Sequence, residues 1–304
     1  MSTEATVAVV GSINADATYT LEALPLPGET ALSSSRHDAP GGKGANQAVA
    51  LAALGLSVDM VGAVGDDLAG RSLVNHLETK RVGCGSVSLS EKLPTGSAVI
   101  LVSSSGENSI VVDAGANNAL TSDHVETYFS QHAPAMVIAQ LEVPLGVVLT
   151  AARLASGTFV LNPAPMPPSS AELSELIQTC DILVPNRTEL ASLAGGAIPQ
   201  NIDEVVGSAR KLNFNGQLVV TLGSDGAVVF PDGVHGDAIE VAAPRVKSVD
   251  ASGAGDAFCA ALVAGLLHGM DLVRACEYAC DFASWTTTQK GAQVDKVAPE
   301  KVLV

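Results

Sequence analysis

Positive charge is what this sequence has least of: 16 Lys and Arg stand against 32 Asp and Glu, a formal charge of −16 at pH 7. A field of that sign repels a phosphodiester backbone and an anionic lipid leaflet alike, so neither nucleic acid nor a membrane is an expected partner. Any anionic substrate must then be held by local devices such as helix N-termini, backbone amides or a metal ion. Cysteine is sparse too. Cys84, Cys180, Cys259, Cys276 and Cys280 are odd in number and form no C-x-x-C pair, which speaks against a disulfide framework and for reduced thiols. The longest apolar stretch, Ala257 to Leu267, falls short of the ~20 residues that cross a bilayer. The opening MSTEATVAVVGSINAD places Glu4, and no basic residue, ahead of its short apolar run. It does not read as a secretory signal, and a cytoplasmic location is expected. Common motifs are missing as well. GxxxxGK[ST], GxSxG and HExxH do not occur, Gly253-x-Gly255 meets Phe258 where a dinucleotide fingerprint needs glycine, and the histidines show no metal-ligand spacing.

What is present is the makeup of a folded globular chain: 47% apolar and 16% charged residues with a mean hydropathy of +0.32. A chain of 304 residues buries roughly 75% of the surface its unfolded form exposes, enough for a large core. Short β-branched runs alternate with Ala/Leu-rich amphipathic segments, the pattern of βαβ units on a mostly parallel sheet. Strands are predicted at 6–10, 58–61, 136–139, 158–161, 182–184, 218–221 and 227–230. Helices are predicted at 45–54, 69–79, 122–131, 145–155, 171–179, 203–212, 255–268 and 272–287, the last capped by Asp271. Residues 15–35 and 94–112 break the alternation and read as strands joined by turns. A doubly wound domain carrying a small accessory sheet accounts for them.

Five segments carry chemistry. Gly41-Gly42-Lys43-Gly44-Ala45-Asn46 runs straight into a predicted helix. Its small residues admit a ligand close to the backbone, with Lys43 and Asn46 as donors; a flexible helix start is the plainer alternative. Val10-Gly11-Ser12-Ile13-Asn14-Ala15-Asp16 ends the first strand, where open α/β sheets bind ligands. Asn14 and Asp16 face one way on extended chain and suit neighbouring sugar hydroxyls, unless they merely cap a turn. Asp250-Ala251-Ser252-Gly253-Ala254-Gly255-Asp256 opens the long apolar helix. Its amides are exposed to an anion, and Asp256 in the first turn is placed to take a proton from a hydroxyl attacking a phosphoryl group bound there. Glycines flanking Ala254 would only weaken a helix that needed no anion, which favours function over a plain capped helix. Pro185-Asn186-Arg187-Thr188-Glu189 suits magnesium-bound water, and Thr221-Leu222-Gly223-Ser224-Asp225-Gly226 suits a nucleotide. A capping box and a hairpin turn explain this pair equally. Cys276 and Cys280, one helical turn apart, read as core thiols.

Taken in order, GSINAD, GGKGANQA, QLE (Gln140–Glu142), NPAP (Asn162–Pro165), PNRTE, TLGSDG, DASGAGDAF and KGAQ (Lys290–Gln293) resemble the ribokinase branch of the PfkB family of carbohydrate kinases, over residues 7 to 295. The resemblance implies a doubly wound, mostly parallel α/β sheet with helices on both faces and a small β-sheet lid. It implies one domain over 1–304, with the lid inserted as segments of about 12–40 and 94–118. The activity it implies is transfer of the γ-phosphate of ATP to the 5-hydroxyl of D-ribose, with Mg2+ and an activating K+. By position, Asp256 is similar to the family's catalytic base, and Gly253, Ala254 and Gly255 to its anion hole. Asn14, Asp16, Gly42, Lys43, Asn46 and Glu142 match its sugar-binding set. Asn186, Glu189, Thr221, Gly223, Gly226 and Cys280 match its nucleotide and magnesium side. Asp250, Ser252, Thr286, Gln289, Gly291 and Asp295 match a monovalent-cation site. Four positions depart from the pattern: Ala251 replaces the usual Thr, Cys280 a polar residue near the adenine, Arg187 a frequent Glu and Asp295 a frequent Ser.

The rival readings are a nucleoside or deoxyribose kinase of the same family and a non-catalytic sugar-binding protein of this fold. Tyr19 is the one aromatic across 12–40 and 94–118, a poor clamp for a nucleobase, which favours a bare sugar. In the lid, Ala98, Ile100 and Val102 alternate with Val99, Leu101 and Ser103. Segments 17–22, 97–103 and 108–112 thus make a thin sheet apolar on both faces, and a homodimer through the lids is expected.

Overall fold

The computed structural model describes residues 6–294. In chain order these form β1 (Thr6–Val10), β2 (Asn14–Leu21), β3 (Ser35–Gly41), α1 (Lys43–Ala53), β4 (Ser57–Gly65), α2 (Leu68–Thr79), β5 (Val82–Ser90), β6 (Gly96–Ser103), β7 (Asn108–Asp113), α3 (Ser122–Gln131) and β8 (Met136–Ala139). There follow α4 (Leu145–Leu154), β9 (Thr158–Leu161), α5 (Ala171–Thr179), β10 (Ile182–Leu183), α6 (Arg187–Ala194), α7 (Ile202–Ala209), β11 (Gln217–Thr221), β12 (Ala227–Phe230), β13 (Ile239–Val241), α8 (Ala254–Leu267) and α9 (Leu272–Thr286).

Nine strands form one sheet in the order β13-β12-β11-β10-β9-β8-β1-β4-β5, parallel from β11 to β5, with β12 and β13 antiparallel at one edge. Successive strand residues point to opposite faces. Val7 and Val9 therefore pack with α1, α2, α8 and α9, while Ala8 and Val10 pack with α3 to α7. This is the doubly wound arrangement expected. Each fully buried side chain of the size of Leu51, Ile138 or Leu183 contributes roughly 1.5–3 kcal/mol of burial. Residues 256–265 of α8 are buried all round, between the sheet, α1 and α9, as an apolar helix without a polar face must be.

The small sheet runs β3-β2-β6-β7, with β2 and β6 parallel at its centre. β2 leaves β1 through Gly11–Ile13, and β6 follows β5 through 91–95, so the small sheet grows from the carboxyl edge of the large one. Asn117 clamps that exit: its Oδ1 accepts from the Ile13 amide at 2.9 Å and its Nδ2 donates to Asn14 Oδ1 at 2.7 Å.

Differences from the predicted elements lie at edges. The Ser- and Gly-rich β5, the short β13 and helix α6 carry too little periodicity to announce themselves, and the helix expected to reach Leu212 ends at Ala209. Asp271 does cap α9, accepting from the Arg274 amide. All five cysteines are free thiols; Cys84 is half-buried and the others are buried. No helix among the described residues is long and apolar enough to cross a membrane.

Candidate active site

The carboxyl ends of β1, β8, β9, β10 and β11 and the N-termini of α1 and α8 converge, and every segment singled out above lies there. Asp256, in the first turn of α8, is buried. Its Oδ2 accepts from Asn46 Nδ2 at 3.0 Å and its Oδ1 from Gln47 Nε2 at 3.2 Å. Burial raises the Asp256 pKa; the charge of Lys43 and the two amide donors oppose that rise. Gln47 is itself fixed, because its Oε1 accepts from Gln140 Nε2 at 2.6 Å. Gly11 makes room for this: a Cβ there would stand 2.0 Å from Gln140 Oε1.

The expected sugar-side residues are brought together. Ser12 Oγ and the Lys43 amide both donate to Glu142 Oε2. Asn14 and Asp16 share one face of β2, where Asn14 gives its side-chain oxygen to Asn117. Asp16 Oδ1 is buried with no hydrogen-bond partner. Burial, and then the charge of Glu142, push Asp16 up to about 6. The backbone is shaped around that carboxylate. A Cβ on Gly41 would lie 1.9 Å from Asp16 Oδ2, and Gly42, at φ +89°, would bring one within 2.8 Å of the Ser12 carbonyl. Burial would lower the Lys43 ammonium, but Asp256, Glu142 and Glu189 together raise it.

Across α8 lies a cavity of about 430 Å³ lined by Thr221, Gly223, Gly226 and Cys280 of the expected nucleotide set, with Ala254 and Gly255 on its wall. Cys280 is thus both a core thiol and a cavity wall, and Arg245, which the sequence did not single out, also lines it. Residues 221–226 are the turn between β11 and β12, with Gly226 at φ +100° beneath the Val241 carbonyl. Asn186 and Glu189 form the capping box of α6: Asn186 Oδ1 accepts from the Thr188 and Glu189 amides, and Glu189 accepts from Asn186 N and Nδ2 at 2.8 Å each. Each Glu189 oxygen keeps a second lone pair, so the pair could orient the water shell of a metal ion. Arg187 reaches Asp225 at 3.1 Å and ties α6 to that turn, which is what this chain does with its departure from the family's Glu.

The remaining set gathers where the loop after α9 meets the approach to α8. Asp250 accepts from the Ser252 and Gly291 amides, each at 2.9 Å. Burial pushes its carboxyl up, yet those two amides together with the Ser252 hydroxyl outweigh it and hold Asp250 below the usual carboxylate range. The Thr287 carbonyl takes the amides of Val249 and Asp250, and Gln289 N turns back on Thr286. One ionised carboxylate among backbone carbonyls is a hard-oxygen set that fits a large, weakly hydrated cation. Asp295 lies outside the described residues. Among the described residues, no cluster of three or more His, Cys, Asp or Glu is arranged to hold a metal ion.

At the start of α8, Gly253 has φ +71° and a Cβ there would meet the Ala292 carbonyl at 2.2 Å. The Ala254 amide is engaged by the Ala251 carbonyl at 3.2 Å, whereas Gly253 and Gly255 carry first-turn amides that the helix does not pair. Gln47, Gln140 and Asn117 were not among the expected site residues. The first two stand inside GGKGANQA and QLE, but no spacing announces which way a buried amide turns.

The chain is similar to known proteins along nearly its whole length. The profile of the pfkB family carbohydrate kinases matches residues 4–299. A ribokinase of Schizosaccharomyces pombe is 36% identical over 305 aligned residues, which cover 94% of this chain and 93% of that protein. A deoxyribokinase of Salmonella typhimurium is 35% identical over 301, covering 94% of each. Arabidopsis thaliana ribokinase, solved with ribose and ATP, is similar in structure with a TM-score of 0.83 at 31% identity, covering 95% of this chain and 94% of that one.

Proposed function

The chain belongs to the pfkB family of carbohydrate kinases, and from that premise we propose that it is an ATP-dependent ribose kinase that makes D-ribose 5-phosphate. The observation that carries the reading is the doubly amide-bonded, buried Asp256 sharing the N-terminus of α8 with the wall of the 430 Å³ cavity. Asp16, Asn14 and Lys43 hold the sugar, with the orphaned Asp16 Oδ1 accepting from a hydroxyl. Asp256 takes the proton of the attacking hydroxyl, and the amides of Gly253 and Gly255 receive the charge that develops on the transferring phosphoryl group. Ala254 joins them only if its amide leaves Ala251. Mg2+ bound with ATP would draw charge from the phosphates, and Asn186 and Glu189 would orient its water shell. The small sheet is the lid over the sugar within one domain spanning 1–304. Five free thiols suit a reducing, cytoplasmic setting.

The test is ADP release measured with ribose, deoxyribose, fructose, adenosine and uridine. Ribose should be turned over best, and no turnover of any sugar above background would end the kinase reading. A deoxyribose kinase is the second reading, favoured by the 35% identical deoxyribokinase, and Asp16 separates the two. An unpaired buried carboxylate costs ~1–3 kcal/mol when an analogue lacks the hydroxyl it reads, so kcat/KM should favour ribose over 2-deoxyribose by ~5- to 150-fold at pH 8. Asp16 is ionised above about 6 and protonated below it, so this preference should shrink as pH falls through that value. Equal kcat/KM at pH 8 would refute the role of Asp16.

K+ at Asp250, Ser252, Thr286, Gln289 and Gly291 would steady the loop that presents Gly253. Replacing potassium by sodium or a bulky organic cation at constant ionic strength should lower kcat more than it raises the ribose KM. An unchanged kcat would mean that protein contacts alone hold the loop. For the lid, β7 is an edge strand exposed along its whole length, with Ile110 and Val112 on the Asp16 face and Val111 on the other. A homodimer through the lids covers those residues. Light scattering at micromolar concentration should give twice the chain mass of 30.7 kDa; a monomer alone would refute it.

A further inference from the structure

We infer that Gln293 and His76 are a positioning pair for Asp256, acting through Asn46; the inference rests on the kinase reading above. A carboxylate can only accept hydrogen bonds, so Asn46 must turn its Nδ2 toward Asp256, and its Oδ1 then faces away inside the protein and needs a donor. Gln293 supplies one, with its Nε2 3.2 Å from Asn46 Oδ1. That choice leaves Gln293 Oε1 pointing outward as an acceptor, 2.8 Å from His76 Nε2. His76 must therefore carry its hydrogen on Nε2. Each link dictates the polarity of the next, from a half-buried histidine on α2, through the loop after α9, to Asn46 on α1 and the carboxylate at the start of α8. The other carboxylate oxygen has a matching chain, Gln140 to Gln47 to Asp256 Oδ1. That chain is buried throughout, whereas the Gln293 chain ends on a side chain near solvent.

Without Gln293, Asn46 Oδ1 is a buried acceptor with no partner, and the amide is free to rotate its N–H away from Asp256. Asn46 is itself in the matched sugar-binding set, but Asp16, Asn14, Lys43 and Glu142 remain to hold the sugar, so the larger loss falls on turnover. Gln293→Leu and His76→Leu should each lower kcat about tenfold, the scale of one lost supporting hydrogen bond, with the ribose KM within twofold. Gln293→Glu keeps the acceptor toward His76 but loses the donor toward Asn46, and should match Gln293→Leu. His76→Gln, whose amide donates as the imidazole does, should restore wild-type kcat. The double variant His76→Leu/Gln293→Leu should be no slower than Gln293→Leu alone, because one chain is broken once. Multiplying losses, a His76→Gln as slow as His76→Leu, or a loss carried by KM would overturn the inference. A separate readout does not depend on turnover. The imidazole nitrogen spectrum should show His76 protonated at Nε2 in the wild type and altered in Gln293→Leu; an unaltered spectrum would overturn the pair. An inactive wild type with the expected spectrum would instead count against the kinase reading.

Discussion

Replacing Asp256 by asparagine is expected to lower kcat by ~10² or more while ribose affinity stays within a few fold. An asparagine cannot take the hydroxyl proton at neutral pH, and its amide also conflicts with what surrounds it. Asn46 and Gln47 both present N–H groups to this side chain, so one of them would face a second donor. Gln47 cannot turn to accommodate it, because Gln140 already donates to its oxygen. The effect is expected in turnover, since the hydrogen bonds around Asp256 come from Asn46 and Gln47 and not from the proposed sugar-binding carboxylates Asp16 and Glu142. Burial disfavours the charged form of Asp256, so a neutral replacement should not unfold the protein, and a near-wild-type melting temperature is the control. A variant with near wild-type kcat would remove Asp256 from the role of base.

The second large effect is expected from adding a single methyl group. Gly253→Ala places a Cβ on a residue at φ +71°, 2.2 Å from the Ala292 carbonyl. The left-handed backbone alone costs an alanine about 1–2 kcal/mol. The contact must then be relieved by moving either the loop through Ala292 or the first turn of α8. Both belong to the proposed site: the loop's Gly291 amide donates to Asp250, and the turn holds the amides proposed to receive the phosphoryl charge. A kcat lower by about 10- to 100-fold is expected, the scale of one misplaced oxyanion donor. A melting temperature lower by about 2–6 °C should accompany it. Wild-type kcat in this variant would show that the geometry of the turn does not matter to catalysis.

The large sheet was legible because its buried strands are short β-branched runs and its helices repeat apolar residues at one-turn spacing; β1, β8, β9, β12, α3 and α5 fall where the pattern placed them. Strand β5, VGCGSVSLS, was not, because small and hydroxylated residues make no alternation. Helix α6 was half legible: its capping box was read as one explanation of PNRTE, but RTELASLA has a weak apolar stripe, and Arg187 owes its place to Asp225 across the turn. Candidate residues on motif strings could be named in advance because small residues at strand ends and helix starts have a local cause. The amide chains could not. Gln47, Gln140 and Gln293 take their meaning from which neighbour donates and which accepts, and those neighbours come from helices and loops far apart in sequence.

Helix α8 has a consequence for how this protein can vary. From Asp256 to Gly265 every residue is buried, and even Gly265 has the Ala275 backbone 3.1 Å from where a Cβ would stand. An ordinary surface helix has an outer face on which sequence can drift without touching function. From Asp256 to Gly265 this one has none: a bulkier residue there must displace the sheet, α1 or α9, and the displacement is delivered lengthwise to the carboxylate at its start, whereas Gly255 is exposed with open space where a Cβ would stand. In a library of all single substitutions, residues 256–265 of α8 should therefore be intolerant at every register, while α2 and α5 keep a three- to four-residue rhythm of permitted change. The rod that carries this buried carboxylate has little freedom to diverge.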